Sequence, residues 1–279
     1  MGMNESIDGA LPEFTDTDHS GVAHRILGNL MPALEVRLEP GQSVISQGGE
    51  MTWLDPNIEM TTKTAGAGAS GLGGVLKRAL AGGSIFMTQF TAHDTPAKVA
   101  FAAKMPGHIR PISVDTNREY MVSRHGFLAA TPNVNLEVAF QQSLGVGIFS
   151  GNGFFMQHIW GQGTAWIELS GETVTYELAA GESILVHPGH IGLFESTVNM
   201  TITRIKGIKN MLFGAETIFL AQLTGPGKVY LQTLTLPSLA HSVAPYIATS
   251  DGGSKQSRSG TSIGGFNMKT LGGIVDNLG

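Results

Sequence analysis

Apolar and polar positions alternate along this chain in short runs, and glycine or proline closes nearly every run. Ser43–Ser46 follows Pro40-Gly41 and stops at Gly48-Gly49. Ser183–Val186 follows Ala180-Gly181 and stops at Pro188-Gly189. Ser84–Thr91, Phe154–Trp160 and Thr217–Thr224 alternate with a period of two, as do Ala165–Leu169 and Val229–Thr235. That period marks strands with one buried face, and the bounding residues supply turn chemistry. Helical spacing is confined to Leu72–Leu80 and Gly207–Phe213, each about two turns long. The pattern predicts an all-β chain.

The runs are also related to one another. Leu38–Met60 (LEPGQSVISQGGEMTWLDPNIEM) lies without a gap over Leu178–Met200 (LAAGESILVHPGHIGLFESTVNM). The two match at Leu38/Leu178, Gly41/Gly181, Ser43/Ser183, Gly49/Gly189 and Met60/Met200, with apolar pairs such as Val44/Ile184 and Leu54/Phe194 between. KRALAGGSIFMTQFTA from Lys77 matches KNMLFGAETIFLAQLTG from Lys209, and AKVAFAAKMP from Ala97 matches GKVYLQTLTLP from Gly227. A weaker copy starts at EYMVSRHGFLAATPNVN (Glu119) and continues through GIFSGNGFFMQHIWGQGTAWIEL (Gly147). Internal repeats of this kind mean related units that bury their apolar faces together. The expected architecture is a β-sandwich or barrel built from three repeats with pseudo-threefold symmetry. The repeats cover residues 31–107, 108–170 and 171–240, within a single domain at 31–240. Residues 1–30 read as a polar, acidic leader and 241–279 as a Gly/Ser-rich flexible tail.

Composition agrees and narrows the chemistry. The 279 residues include 38 glycines, are 42% hydrophobic and only 14% charged, and contain no cysteine. A large core is affordable in such a chain, so wholesale disorder and disulfide-stapled scaffolds are excluded. Thiol nucleophiles, iron–sulfur ligation and cysteine zinc sites are excluded with them. The net charge of −5 belongs mostly to the leader, where Glu5, Asp8, Glu13, Asp16 and Asp18 face only Arg25. No basic stripe is present, which argues against nucleic-acid binding by counterion release. The N-terminus carries no secretory pattern and no run is long and apolar enough to span a membrane. A cytoplasmic location is expected.

MPALEVRLEPGQSV, MTWLDPNIEM, LKRALAGGSIF, GHIGLFESTV, KNMLFG and LTGPGKVYLQT together resemble the bacterial TRAP-like domain-of-unknown-function family. That family is related to the altered-inheritance-of-mitochondria (mitochondrial biogenesis) proteins. The resemblance runs over about Asn29–Thr235. It implies an all-β TRAP-like fold similar to the trp RNA-binding attenuation protein. The eukaryotic members are linked to mitochondrial inner-membrane organisation, and the family supplies no catalytic motif to carry over. The leader before Asn29 departs from the family's usual start.

Candidate chemistry is sparse. Gly66-Ala-Gly-Ala-Ser-Gly71 has dinucleotide-loop spacing, but the preceding Met60–Thr64 is polar and no βαβ unit follows, so it reads as a connection. His187-Pro-Gly-His190 places two imidazoles across a turn, where a metal could be chelated with help from His125 or His158. The equivalent positions are Gln47 and Glu50 in the first repeat and Ser123 and Gly126 in the second, which favours solvated turn histidines. Gln89, His158 and Gln222 are equivalent in the three repeats and mark a polar site near the pseudo-threefold axis or a sheet rim. Phe86, Phe154, Phe155, Trp160, Trp166, Phe194 and Phe219 read as core or interface packing. No catalytic, cofactor-binding or metal site is assigned, and no cofactor is expected.

These features point to a non-enzymatic β scaffold or assembly protein that forms a homo-oligomer. The islands Ile263, Phe266, Leu271, Ile274 and Val275 would let the tail present a segment to a protein partner or a membrane surface. The alternatives are a β-barrel small-ligand or metal-dependent enzyme using His125, His158, His187 and His190, and RNA binding by fold analogy.

Overall fold

The computed structural model describes residues 12–15, 21–65, 85–142, 154–204 and 219–246. The helical expectations at Leu72–Leu80 and Gly207–Phe213, the glycine loop at Gly66–Gly71 and the tail islands lie outside these residues. The first strands are β1 (Ala23–Leu27), β2 (Ala33–Leu38), β3 (Ser43–Gln47), β4 (Met51–Leu54), β5 (Ile58–Ala65), β6 (Ile85–Ala92) and β7 (Ala97–Ala102). Then come β8 (Gly107–Val114), β9 (Tyr120–Ser123), β10 (Phe127–Ala130), β11 (Val134–Gln142), β12 (Phe154–Gly161) and β13 (Gly163–Ser170). The series ends with β14 (Thr173–Leu178), β15 (Ser183–Val186), β16 (Ile191–Glu195), β17 (Asn199–Arg204), β18 (Phe219–Thr224) and β19 (Gly227–Gln232). A single α-helix, α1 (Leu236–Val243), is present among the described residues.

The strands make four antiparallel sheets. Sheet I has the order β1-β2-β7-β4, sheet II β5-β6-β3-β10-β13-β8, sheet III β11-β12-β9-β16-β19-β14 and sheet IV β15-β18-β17. The all-β expectation holds. The barrel half of it does not, because among the described residues every sheet keeps two edges and none closes on itself.

Apolar clusters fill the spaces between successive sheets. The first joins Leu34, Val36, Val99 and Phe101 of sheet I to Val44, Phe90, Leu128 and Trp166 of sheet II. The second joins Ile45, Phe127, Ala165 and Ile167 of sheet II to Val122, Leu136, Ile159 and Leu193 of sheet III. The third joins Met156, Ile191, Phe194 and Val229 of sheet III to Val186, Ala221 and Leu223 of sheet IV. Sheets II and III therefore bury both faces, which explains why Phe127–Ala130 is buried at every position instead of alternating. The outer face of sheet I carries Arg25, Glu35, Ala100 and Trp53 side by side. There the buried Glu35 accepts from Arg25 Nε at 2.7 Å and from Trp53 Nε1 at 3.2 Å.

Strand limits follow the turn residues closely. Gly41 (φ +83°) and Gly181 (φ +81°) hold the turns before β3 and β15 in the left-handed region. Gly163 (φ +143°) opens β13 where a Cβ would stand 1.9 Å from Thr131 Oγ1, so only glycine fits. Two segments differ from the sequence reading. Residues 23–27, inside the acidic leader, add β1 to the edge of β2 through the Arg25–Glu35 ion pair. The strand expected over Val229–Thr235 stops at Gln232, and Thr235 caps α1 by accepting from Ser238 N at 3.2 Å. With Pro237 in the first turn this is an ordinary helix start, and it competes with strand continuation.

Candidate functional site

The His187-Pro-Gly-His190 turn forms a short 3-10 segment, Pro188–His190, between β15 and β16. Its two rings lie edge to face with centroids 5.8 Å apart. His187 Nδ1 accepts the Gly189 N–H at 3.3 Å, which places the proton of a neutral ring on Nε2. His190 Nδ1 donates to the Gln232 carbonyl at 2.7 Å, and Gln232 Nε2 donates to the Gly189 carbonyl at 3.1 Å. These bonds brace the turn against β19 rather than set it for chelation. Partial desolvation of His187, together with neighbouring His190, pushes its pKa below the usual imidazole value.

His125 and His158 stand elsewhere. His125 occupies the turn between β9 and β10, and desolvation, then Arg124 and Lys104, lower its pKa. His158 projects from β12, where Nε2 meets Glu119 Oε2 at 2.9 Å and Nδ1 lies 3.7 Å from Glu137 Oε1. Its ring stacks on Trp160 with centroids 5.0 Å apart. The two ring nitrogens diverge toward different carboxylates, so one ion cannot take both. Among the described residues no three His, Asp or Glu side chains are grouped to hold a metal.

Gln89, His158 and Gln222 fall on β6, β12 and β18, in three different sheets. Gln89 Nε2 donates to Thr91 Oγ1 at 3.2 Å and Gln222 Nε2 donates to Ser183 Oγ at 3.3 Å. Each is engaged locally. Of the aromatics, Trp166 is completely buried and meets the His24 ring edge-on, with centroids 5.2 Å apart. Phe154 and Phe194 are also buried, whereas Phe155 lies under the Arg124 guanidinium at 4.6 Å.

Two polar sites carry no local sequence signal. Glu168 is buried on β13 and accepts the N–H groups of Lys104 and Met105, both at 3.0 Å. Burial raises its pKa while the two amides oppose the rise. Beside β8, His108, Arg110, Glu172 and Thr173 line an open depression, with His108 Nε2 3.3 Å from Glu172 Oε2. Arg110 also reaches over the Tyr230 ring at 5.3 Å. The partners in each case are more than 60 residues apart in sequence. No helix among the described residues is long and apolar enough to cross a membrane.

Comparison with known proteins bears on the whole chain rather than on any one of these groups. An uncharacterized protein of Streptococcus pyogenes serotype M6 is 28% identical over 224 residues, which is 78% of this chain and 88% of the relative. A crystal structure of a Streptococcus pyogenes protein superposes with a TM-score of 0.64 at 24% identity, covering 81% of this chain and 100% of the other. That likeness shows a shared fold. The family model described as mitochondrial biogenesis AIM24 matches residues 24–234, and the chain belongs to that family.

Proposed function

We propose that this chain is a non-enzymatic β scaffold that self-associates, built from three related units in a TRAP-like, pseudo-threefold arrangement. The observation that carries this reading is the recurrence of one pairing scheme. β2 pairs β7 as β8 pairs β13 and β14 pairs β19, and β4, β10 and β16 pair those same partners from the other side. Likewise β6, β12 and β18 each lie between two strands, β5 and β3, β11 and β9, β17 and β15.

Details recur as well. A bulge interrupts β4 between Met51 and Trp53, β10 between Phe127 and Ala129, and β16 between Ile191 and Leu193. At the end of each of these strands a side-chain oxygen takes a backbone N–H from the facing strand: Asp55 from Lys98 at 2.9 Å, Thr131 from Thr164 at 3.1 Å, Glu195 from Lys228 at 2.9 Å. Under this scheme Gln89, His158 and Gln222 are equivalent positions.

A unit of this kind shares its sheet with the next, because sheets II and III are each half one unit and half its neighbour. Association along sheets is thus the principle on which the chain itself is assembled. The domain would span 31–240, with the leader before it and the tail after it presenting a partner- or membrane-contacting segment in the cytoplasm. Light scattering on the full-length chain tests the self-association, and a monomer at micromolar concentration overturns it. Affinity isolation from native cells, with and without the residues after Ala248, tests whether the tail recruits a partner.

A further inference from the structure

We propose that the free edge of β15 pairs with the free edge of β4 on a second copy of this chain, joining sheets IV and I into one sheet across two molecules. This names the partner of the self-associating scaffold above and rests on that reading. The contact is already made twice inside the chain. β3 takes β10 along its outer edge, with Ile45 opposite Ala130 and Ser46 opposite Ala129. β9 takes β16 in the same way, with Met121 opposite Phe194 and Val122 opposite Leu193. β15 holds the place of β3 and β9, since it pairs β18 as they pair β6 and β12. β4 holds the place of β10 and β16, with the same bulge against β7.

Among the described residues neither strand has a partner on its other side: β15 and β4 are terminal in the four-sheet order. Carrying over the internal register sets Leu54 opposite Leu185, Trp53 opposite Val186 and Asp55 opposite Ile184. The join would extend the three-stranded sheet IV and three strands of sheet I into the six-strand order that sheets II and III already have. β1 would remain as an addition on the outside of β2.

Side-chain burial follows the same scheme. At the two internal joins Ile45 is 7% exposed, Ala129, Ala130 and Leu193 are fully buried and Phe194 is 2% exposed. Their counterparts at the open edges are Leu185, 57% exposed, and Trp53, 42% exposed, while Leu54 is half-buried. In the joined sheet Leu185 extends the second copy's first cluster beside Leu54 and Met51, as Ile45 extends the second cluster here. Trp53 meets Val186 and the third cluster, as Leu193 meets Val122 in the second. Apolar residues at an edge strand are what natural sheets avoid unless the edge is used. The two edges differ, so the contact is head-to-tail and generates a ring or an open chain rather than an isolated twofold dimer.

The chain contains no cysteine, so Leu54→Cys and Leu185→Cys each introduce the sole thiol. Directly opposed residues on antiparallel strands have Cα atoms about 4.5–5.5 Å apart, within disulfide reach. Mixing the two variants under mild oxidation is expected to give a disulfide dimer that neither gives alone, and the double variant a ladder of multimers. A double variant that cross-links only as monomer, or single variants that dimerise alone as well as together, would overturn the proposal. Leu185→Lys alters a side chain that lies mostly in solvent, and light scattering should show its mass at least halved. An oligomer whose mass this variant leaves unchanged, and whose thiols do not cross-link, removes the edge pairing but keeps the scaffold. A wild-type monomer removes both.

Discussion

Replacing Glu168 tests how β13 is tied to the connection between β7 and β8. Its carboxylate is 5% exposed and takes the amides of Lys104 and Met105, which belong to the connection between β7 and β8. In Glu168→Leu both amides lose their acceptor. A fully buried orphaned N–H costs about 1–3 kcal/mol, but Lys104 is exposed and Met105 half-buried, so water takes up part of the loss, and the carboxyl no longer has to be desolvated, for a net loss of about 1–2 kcal/mol. In a domain of this size that is a fall of about 2–8 °C in Tm. Glu168→Gln keeps an acceptor oxygen and should lie close to the parent.

The pH dependence separates the two effects. Burial raises the folded pKa of Glu168 above its ordinary 4.5. A raised acid means the folded state holds the proton more tightly, so this group's contribution is present below pH 4.5 and is lost as pH rises through the folded value. Between pH 4 and pH 8 the parent should therefore lose stability relative to Glu168→Gln. Denaturant titrations of all three proteins across that range read both quantities. A leucine variant within about 0.5 kcal/mol of the parent, or a glutamine variant as damaged as the leucine one, refutes the reasoning.

Trp166→Ala opens a cavity at a fully buried site between sheets I and II and should cost about 3–5 kcal/mol in urea unfolding. Gly163→Ala drives a Cβ into Thr131 Oγ1 and should destabilise by about 2–4 kcal/mol. Gly181→Ala, with a positive φ but open space around it, should cost only about 1 kcal/mol by the same measurement. Glu35→Ala removes the acceptor shared by Arg25 and Trp53 and should cost about 2–3 kcal/mol, with amide exchange quickening in β1 first.

Much of the fold was legible because its marks are local. The glycines before β3 and β15 sit at turns that need positive φ, and the β-favouring run Ser183–Val186 between Ala180-Gly181 and Pro188-Gly189 delimits β15 to the residue. β1 was not legible, since Ala23–Leu27 alternates weakly and is held by Glu35 ten residues on. α1 follows a strand pattern until Thr235 takes the Ser238 amide, so the capping bond and not the apolar order decides. The site residues divide the same way. His187 and His190 are visible as a pair, but the bond of His190 Nδ1 to the Gln232 carbonyl depends on β19 arriving beside the turn. Glu168 and the carboxylates around His158 are assembled by the topology, across separations no spacing rule covers.

Sheets II and III each serve as a wall of two rooms. A side chain on β10 cannot change size without pushing on either the first cluster or the second, which accounts for Ala129 and Ala130 standing back to back there. The consequence is thermodynamic as well as steric. The outermost sheets detach by exposing one apolar surface, whereas the inner ones detach only by breaking open two, so unfolding should start at the ends of the series and reach β10 and β13 last. Residues 108–170 cut out and expressed alone would keep the second cluster between their two half-sheets and bare the outer face of each, the faces that the first and third clusters cover in the whole chain.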